Sequence, residues 1–271
     1  MNQFSLVSKV IVITGAAGLL GRNHAIAVAS AGGTPVLIDI DKKRLKLVAD
    51  EVFGRFNVST KFFEVDITDE SLVKSCCDEV LKTFGHIDGL VNNAANNPKV
   101  EAEGITENSR LENFSIANWD ADILVGLTGA FICTKYFGAA IARQGGSIVN
   151  ISSDLGIIGP DQRLYEKPGV APDKQPVKPV TYSVIKTGLI GLSRYTATYW
   201  ANHKVRCNAL CPGGIENGQE TSFVAKLSSL IPMNRMAKQD EYHGSLIFLL
   251  SDASSYITGT TLTADGGRTA W

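Results

Sequence analysis

The chain has 271 residues, of which 44% are hydrophobic and 20% charged, and its formal net charge is −1. That length fits one large domain or two small ones and is enough to bury a sizeable core. The near-zero charge supplies no electrostatic footprint for nucleic acid or an anionic membrane, and no apolar run approaches the roughly 18–20 residues of a spanning helix.

The N-terminal stretch has no basic region ahead of a cleavable apolar core. Its apolar part runs straight into a glycine turn, so it reads as a strand and not as a signal peptide. Lys9–Thr14 (KVIVIT) is a β-branched run of the kind buried in a parallel sheet. Gly15, Gly18 and Gly21 follow, then a helix expected over Asn23–Ala31 that ends at Gly32-Gly33. Strand, glycine turn and helix together let a pyrophosphate approach backbone N–H groups at a helix N-terminus.

Thr34–Ile40 reads as the second strand. A carboxylate at its end, Asp39, can accept hydrogen bonds from ribose hydroxyls and would repel a 2′-phosphate. The glycine turn contains no arginine before Arg22, and none immediately follows Asp39. This favours NAD over NADP. Asp41 reads as the N-cap of the next helix.

A third strand is expected over Thr60–Val65, then Asp66-Ile67, with Thr68 or Asp69 capping a helix over Glu70–Thr83 that Gly85 closes. Asp88–Asn92 reads as strand four, followed by Asn93-Ala94-Ala95-Asn96. Residues 97–115 are polar and show no period. A helix over Asn118–Arg143 and a strand over Ser147–Ser152 come next, placing Ser152-Ser153 at a strand's carboxyl end, where ligands bind in open parallel sheets. Residues 156–179 form a long segment without periodicity, which marks it as functional or mobile.

The helix that follows runs to about His203 and carries Tyr182 and Lys186. At this spacing the two side chains lie on one face, one turn apart. A phenol titrates near pH ~10 and a neighbouring ammonium favours its ionised form, so the pair is a candidate acid/base unit. Val205–Leu210 reads as strand six, Pro212-Gly213-Gly214 as a turn, Glu220–Leu230 and Asp240–Leu250 as helices, and Thr260–Thr263 as a last strand. The alternation predicts one α/β domain over 1–271, a doubly wound Rossmann-type parallel sheet flanked by helices. Residues 159–179 would be an insertion beside the site and 212–238 an excursion on the substrate side.

Five cysteines, Cys76, Cys77, Cys133, Cys207 and Cys211, match no zinc spacing and are odd in number. They read as free thiols in a reducing cytoplasm, and no metal site is expected.

Taken in order, Thr14-Gly15…Gly21, Asp39, Asp66, Asn92-Asn93-Ala94, Ser153, Tyr182-x-x-x-Lys186, Pro212-Gly213, Ser255-Tyr256-Ile257-Thr258-Gly259 and Asp265-Gly266-Gly267 resemble the short-chain dehydrogenase/reductases over residues 5–267. The resemblance implies that Gly15, Gly18, Leu20 and Gly21 form the pyrophosphate turn and that Asp39 and Ile40 meet the adenosine ribose. Asp66 and Ile67 would border the adenine, with Asn93, Ala94 and Ala95 in the pocket wall. Pro212, Gly213 and Ile215 would meet the carboxamide end. Ser153 would hold the substrate oxygen, Tyr182 would exchange the proton, and Lys186 would bind the nicotinamide ribose and lower the Tyr182 pKa. It further implies an alcohol–carbonyl oxidoreductase with NAD, a small-molecule substrate and a homodimer or homotetramer. For that interface Leu189, Ile190, Leu192, Tyr195 and Trp271 are candidates, or they are core.

The chain departs from the family pattern at several positions. Leu19 stands where the middle glycine is usual, Ala95 where a glycine is usual, and Asn217 where a threonine often contacts the carboxamide. Gly126 replaces the asparagine that helps hold a water leading from the lysine to solvent, which puts the usual proton relay in doubt. Ser153 and Tyr182 are 29 positions apart (182 − 153), about twice the common separation. The extra segment carries Asp161, Gln162, Arg163, Tyr165, Lys167, Lys174 and Lys178, which favours a polar, sugar-like substrate over a 3-oxoacyl or steroid one. Residues 159–166 and the tail from Gly266 also resemble dehydrogenases of bacterial flagellin or surface-glycan modification. The competing class is an NAD-binding regulator without turnover.

Overall fold

Apolar, largely β-branched runs become the strands of one sheet in the computed structural model, which describes residues 3–96 and 108–271. The strands are β1 Val10–Thr14, β2 Thr34–Asp39, β3 Lys61–Glu64, β4 Gly89–Asn92, β5 Gly146–Ile151, β6 Val205–Pro212 and β7 Thr261–Ala264. They lie in the order β3-β2-β1-β4-β5-β6-β7, and every pairing is parallel. The chain leaves β1 toward β2 on one side and returns to β4 on the other. That reversal opens a crevice at the carboxyl ends of β1 and β4, the place where such sheets bind ligands.

The helices are α1 Leu19–Ser30, α2 Lys42–Phe56, α3 Glu70–Phe84, α4 Ile116–Ile141, α5 Val180–Tyr199, α6 Thr221–Ser229 and α7 His243–Leu250. Side chains alternate across each strand, so β1 feeds two cores. Ile11 and Ile13 face α1, α2 and α7, whereas Val10 and Val12 face α3 and α4. Phe137 of α4 is fully buried in the second core, and truncating a buried Phe of this kind costs about 3–5 kcal/mol. Helix α4 is long and apolar enough to cross a membrane by length and composition, but half of its apolar window is buried in the fold.

Local chemistry explains most element ends. Asp41 caps α2 by accepting from Arg44 N, and Asp69, not Thr68, caps α3 by accepting from Ser71 N and Leu72 N. Gly85 ends α3 with φ +79°. Three expectations shift. Helix α1 begins at Leu19, four residues before Asn23, so Gly21 lies inside the helix and not in the turn. Helix α7 begins at His243 because residues 240–242 form a turn. Helix α4 is interrupted by π-helical turns at Leu124–Thr128 and Thr134–Gly138. Of residues 97–115, those from 97 to 107 lie outside the described residues, and Leu111–Asn113 forms a short 3-10 turn. The long segment before α5 is built from 3-10 turns at Asp154–Gly156, Gln162–Tyr165 and Pro172–Lys174.

All five cysteines are buried and free. Burial raises the Cys76 thiol to about 12 and the Cys77 thiol to about 11. Leu189 and Ile190 are core, while Tyr195 and Trp271 are exposed.

Candidate active site

The crevice is held open by a small polar knot. The Thr14 hydroxyl, at the end of β1, accepts from Asn93 N at 3.0 Å and Ala94 N at 3.1 Å. The Asn93 amide donates to Thr14 O at 3.0 Å and Gly15 O at 3.1 Å. These bonds lock the ends of β1 and β4 together. Gly15 has φ +62°, and a Cβ there would sit 2.7 Å from Ala94 Cα, so no side chain fits. Gly18 precedes α1 with no side-chain cap, and the first turn holds no acidic residue. The helix therefore presents free N–H groups and its positive dipole end to the crevice, as a pyrophosphate requires. Gly21 does not line the crevice; a Cβ on it would strike Gly15 O, so it acts by close packing behind the turn.

Asp39 sits at the tip of β2. Its Oδ2 accepts from Ala17 N at 3.0 Å and its Oδ1 from Asp41 N at 3.1 Å. The carboxylate is thus fixed beside the glycine turn, with the exposed Ile40 next to it. Asp66 accepts from Thr68 N and Oγ1, which holds its loop along the wall, and Ile67 is buried beneath.

At the other end β5 delivers Ser152 and Ser153, and α5 delivers Tyr182 and Lys186. The Ser152 hydroxyl donates to Lys186 O at 2.6 Å, and Lys186 Nζ donates to Ile151 O at 2.9 Å. Strand and helix are pinned together through these two bonds. The Ser153 hydroxyl donates to Asp154 Oδ1 at 2.7 Å and accepts from Leu155 N at 3.2 Å. Asp154 Oδ2 in turn accepts from Arg268 Nη1 at 2.7 Å, an ion pair buried on both sides. Sequence reasoning missed this pair: its members are 114 residues apart.

The electrostatics correct one expectation. Burial holds the Tyr182 phenol above its ordinary pKa, with the Ser153 hydroxyl pulling it down. Lys186 does not dominate it. Its ammonium is 5.7 Å from the ring centroid, and its own pKa falls to about 8, first through burial and then through repulsion by Lys178. Desolvation therefore outweighs any favourable charge at the phenol. Lys178 lies closer, with its ammonium 3.9 Å from the centre of the Tyr182 ring.

These groups share one cleft of about 620 Å3. Apart from Gly21, each residue expected at the cofactor or the reaction lines it: Gly15, Gly18, Leu20, Asp39, Ile40, Asp66, Ile67, Asn93, Ala94, Ala95, Ser153, Tyr182, Lys186, Pro212, Gly213 and Ile215. Of the seven polar residues noted in 159–179, Tyr165 and Lys178 line the cleft. Asp161 and Arg163 satisfy each other at 2.6 Å in an exposed pair. Leu164 also reaches the cleft and packs with Leu227, Ile231 and Met236, so one wall is apolar. That wall came from the spacing of apolar residues on two distant segments and had no local signal.

A fold of this topology, with an uncapped glycine turn, an acidic residue at the tip of β2 and a Ser–Tyr–Lys set at the ends of β5 and α5, defines a nicotinamide-nucleotide oxidoreductase. The family model described as short chain dehydrogenase matches residues 9–165, and the one described as enoyl-(acyl carrier protein) reductase matches residues 170–269. The chain belongs to the short-chain dehydrogenase/reductase family. It is 33% identical to a 3-oxoacyl-[acyl-carrier-protein] reductase, FabG, of Thermotoga maritima, over 97% of this chain and 98% of the relative. It is 32% identical to the NADP-dependent mannitol dehydrogenase of Hypocrea jecorina, over 99% of this chain and 95% of the relative. The solved structure of NAD+-bound xylitol dehydrogenase superposes with a TM-score of 0.84 at 25% identity, covering 97% of this chain and 99% of that one. The protein is an oxidoreductase acting on a CH–OH group with a nicotinamide nucleotide as partner.

Proposed function

We propose that this protein interconverts an alcohol and a carbonyl on a polar, sugar-like substrate with NAD(H), as a cytoplasmic homodimer or homotetramer built on a single domain. The observation that carries the reading is the convergence of Ser153, Tyr182 and Lys186 on the cleft that also holds Gly15 and Asp39.

The nicotinamide nucleotide supplies hydride acceptance and donation when bound. Gly15, Gly18 and the α1 N-terminus would hold its diphosphate, and Asp39 would take the adenosine ribose and disfavour a 2′-phosphate. Ser153 turns its hydroxyl proton from Asp154 to the substrate oxygen. Tyr182 accepts the alcohol proton in oxidation and returns it in reduction. Lys186, held by Ile151 O, has two further N–H donors for a ribose. Positioning of this kind supplies much of the rate.

Polar groups at the reacting end support the sugar-like substrate: Ser153, Asp154, Lys178, Asn217, Gln219 and Arg268. A second reading, reduction of a 3-oxoacyl substrate, is favoured by the apolar wall of Leu164, Phe223, Leu227 and Met236. Initial rates on a polyol and sugar panel and on 3-oxoacyl thioesters decide between them. Tyr182→Phe is expected to abolish turnover while NAD binding persists; wild-type turnover in that variant would refute the assigned chemistry.

A further inference from the structure

Among the described residues, four charged side chains line the reacting end of the cleft: Asp154, Lys178, Lys186 and Arg268. One is acidic. Asp154 is committed to Arg268 at 2.7 Å and also accepts from Ser153 and Leu155 N. Lys186 spends a proton on Ile151 O. Lys178 stands apart. Among the described residues no carboxylate lies within ion-pair distance of its ammonium, and the group it meets is the face of the Tyr182 ring. Lys178 is half-buried in the cleft wall, and burial lowers its pKa to about 8, with Asp154 the charge that opposes the shift.

A small adjoining cavity of about 20 Å3 is bordered by Lys178, Asn96, Asp122, Tyr182 and Lys186. Among the described residues its acidic member is Asp122, which accepts from Thr181 Oγ1 at 2.6 Å and makes no ion pair with Lys178. Among the described residues, the charges at the reacting end of the cleft therefore sum to a positive value. A half-buried ammonium with no carboxylate partner among the described residues is stabilised by a ligand anion. The segment 159–179 holds Lys178 in place: its backbone N–H donates to Gln162 Oε1 at 2.9 Å, which ties the end of the segment to its 3-10 turn.

We propose that Lys178 is a specificity-determining anchor for an anionic oxygen group, and that the substrate is an alcohol carrying a carboxylate or phosphate close to the reacting carbon. This rests on the polar-substrate reading above and narrows it. The ammonium stacks on the ring of the proton-exchanging tyrosine, so the anion it recruits lies within a few bonds of the alcohol. The apolar wall across the cleft then meets the remainder of the molecule.

The test uses matched pairs with the wild-type protein, Lys178→Gln and Lys178→Arg: gluconate against glucitol, 3-hydroxybutyrate against butane-1,3-diol, and glucitol 6-phosphate as the phosphate arm. NAD affinity, measured separately, reports folding and cofactor binding. Wild type is expected to favour the anionic member by about tenfold or more in kcat/KM. Lys178→Gln should lose most of that preference, and Lys178→Arg should keep part of it. No anionic preference in wild type, or equal losses on both members of a pair in Lys178→Gln, would overturn the anchor. If no probe turns over, the polar-alcohol reading fails separately. Binding to the NADH complex then decides the anchor: fluorescence changes with gluconate or glucitol 6-phosphate but not glucitol support it, and none with either anion overturns it.

Discussion

Gly126 of α4 lies against Ile185 of α5: a Cβ built on the glycine would come within 2.8 Å of Ile185 Cγ2 and 2.9 Å of its Cδ1. The family asparagine is therefore not merely missing. Its space is filled by a β-branched side chain one residue before Lys186. Gly126→Asn is expected to destabilise the fold by about 1–3 kcal/mol through overpacking. Urea denaturation checks this, and an unchanged midpoint would show that Ile185 moves freely.

Asp154 and Arg268 join the catalytic loop to the C-terminal segment in a buried pair. Arg268→Met leaves Asp154 uncompensated and should cost about 3–5 kcal/mol. Asp154→Asn combined with Arg268→Met should recover part of that loss, a coupling that a double-mutant cycle reads directly. Turnover should fall as well, because Asp154 orients the Ser153 hydroxyl.

His24 of α1 is buried, and among the described residues neither ring nitrogen has a partner in good hydrogen-bond geometry, although the Asn93 side chain lies near enough to oppose the shift slightly. Burial, and then the neighbouring His243, lowers its pKa from 6.5 to about 3. The unfolded chain binds this proton below pH 6.5 and the folded chain does not. The stability present above that pH is thus lost progressively as pH falls toward 3. At pH 5 the loss is about 2 kcal/mol, from roughly 1.36 kcal/mol per pH unit. His24→Met should flatten this part of the profile; an unchanged slope between pH 7 and pH 5 would exclude His24 as its source.

Asp39 and Ile40 present a carboxylate and an exposed aliphatic side chain at the tip of β2. Replacing them together, Asp39→Ser with Ile40→Arg, removes the repulsion and adds a phosphate partner. The ratio of NADP to NAD in kcat/KM should rise by about tenfold or more. A ratio that stays flat would place cofactor choice elsewhere in the cleft.

The strands were legible in the sequence because a sheet buried on both faces needs unbroken apolar runs, as in Lys9–Thr14. The acid/base pair was legible because helical spacing brings Tyr182 and Lys186 to one side. The start of α1 was not, since Gly18 offers no capping side chain to mark it. Nor was the use of the charged insertion. Composition counts Arg163 and Lys178 alike, yet one is neutralised by Asp161 at the surface and the other faces the cleft. The Asp154–Arg268 contact depends on the whole topology, which no local pattern encodes.

The bond from Lys186 Nζ to Ile151 O has an entropic consequence. A free lysine carries about 2 kcal/mol of rotamer entropy. Here the side chain is already tethered to Ile151 O before any ligand arrives, so much of that loss is met when the protein folds. An incoming ribose meets a rigid donor, and its affinity is not reduced by the ordering of a flexible chain.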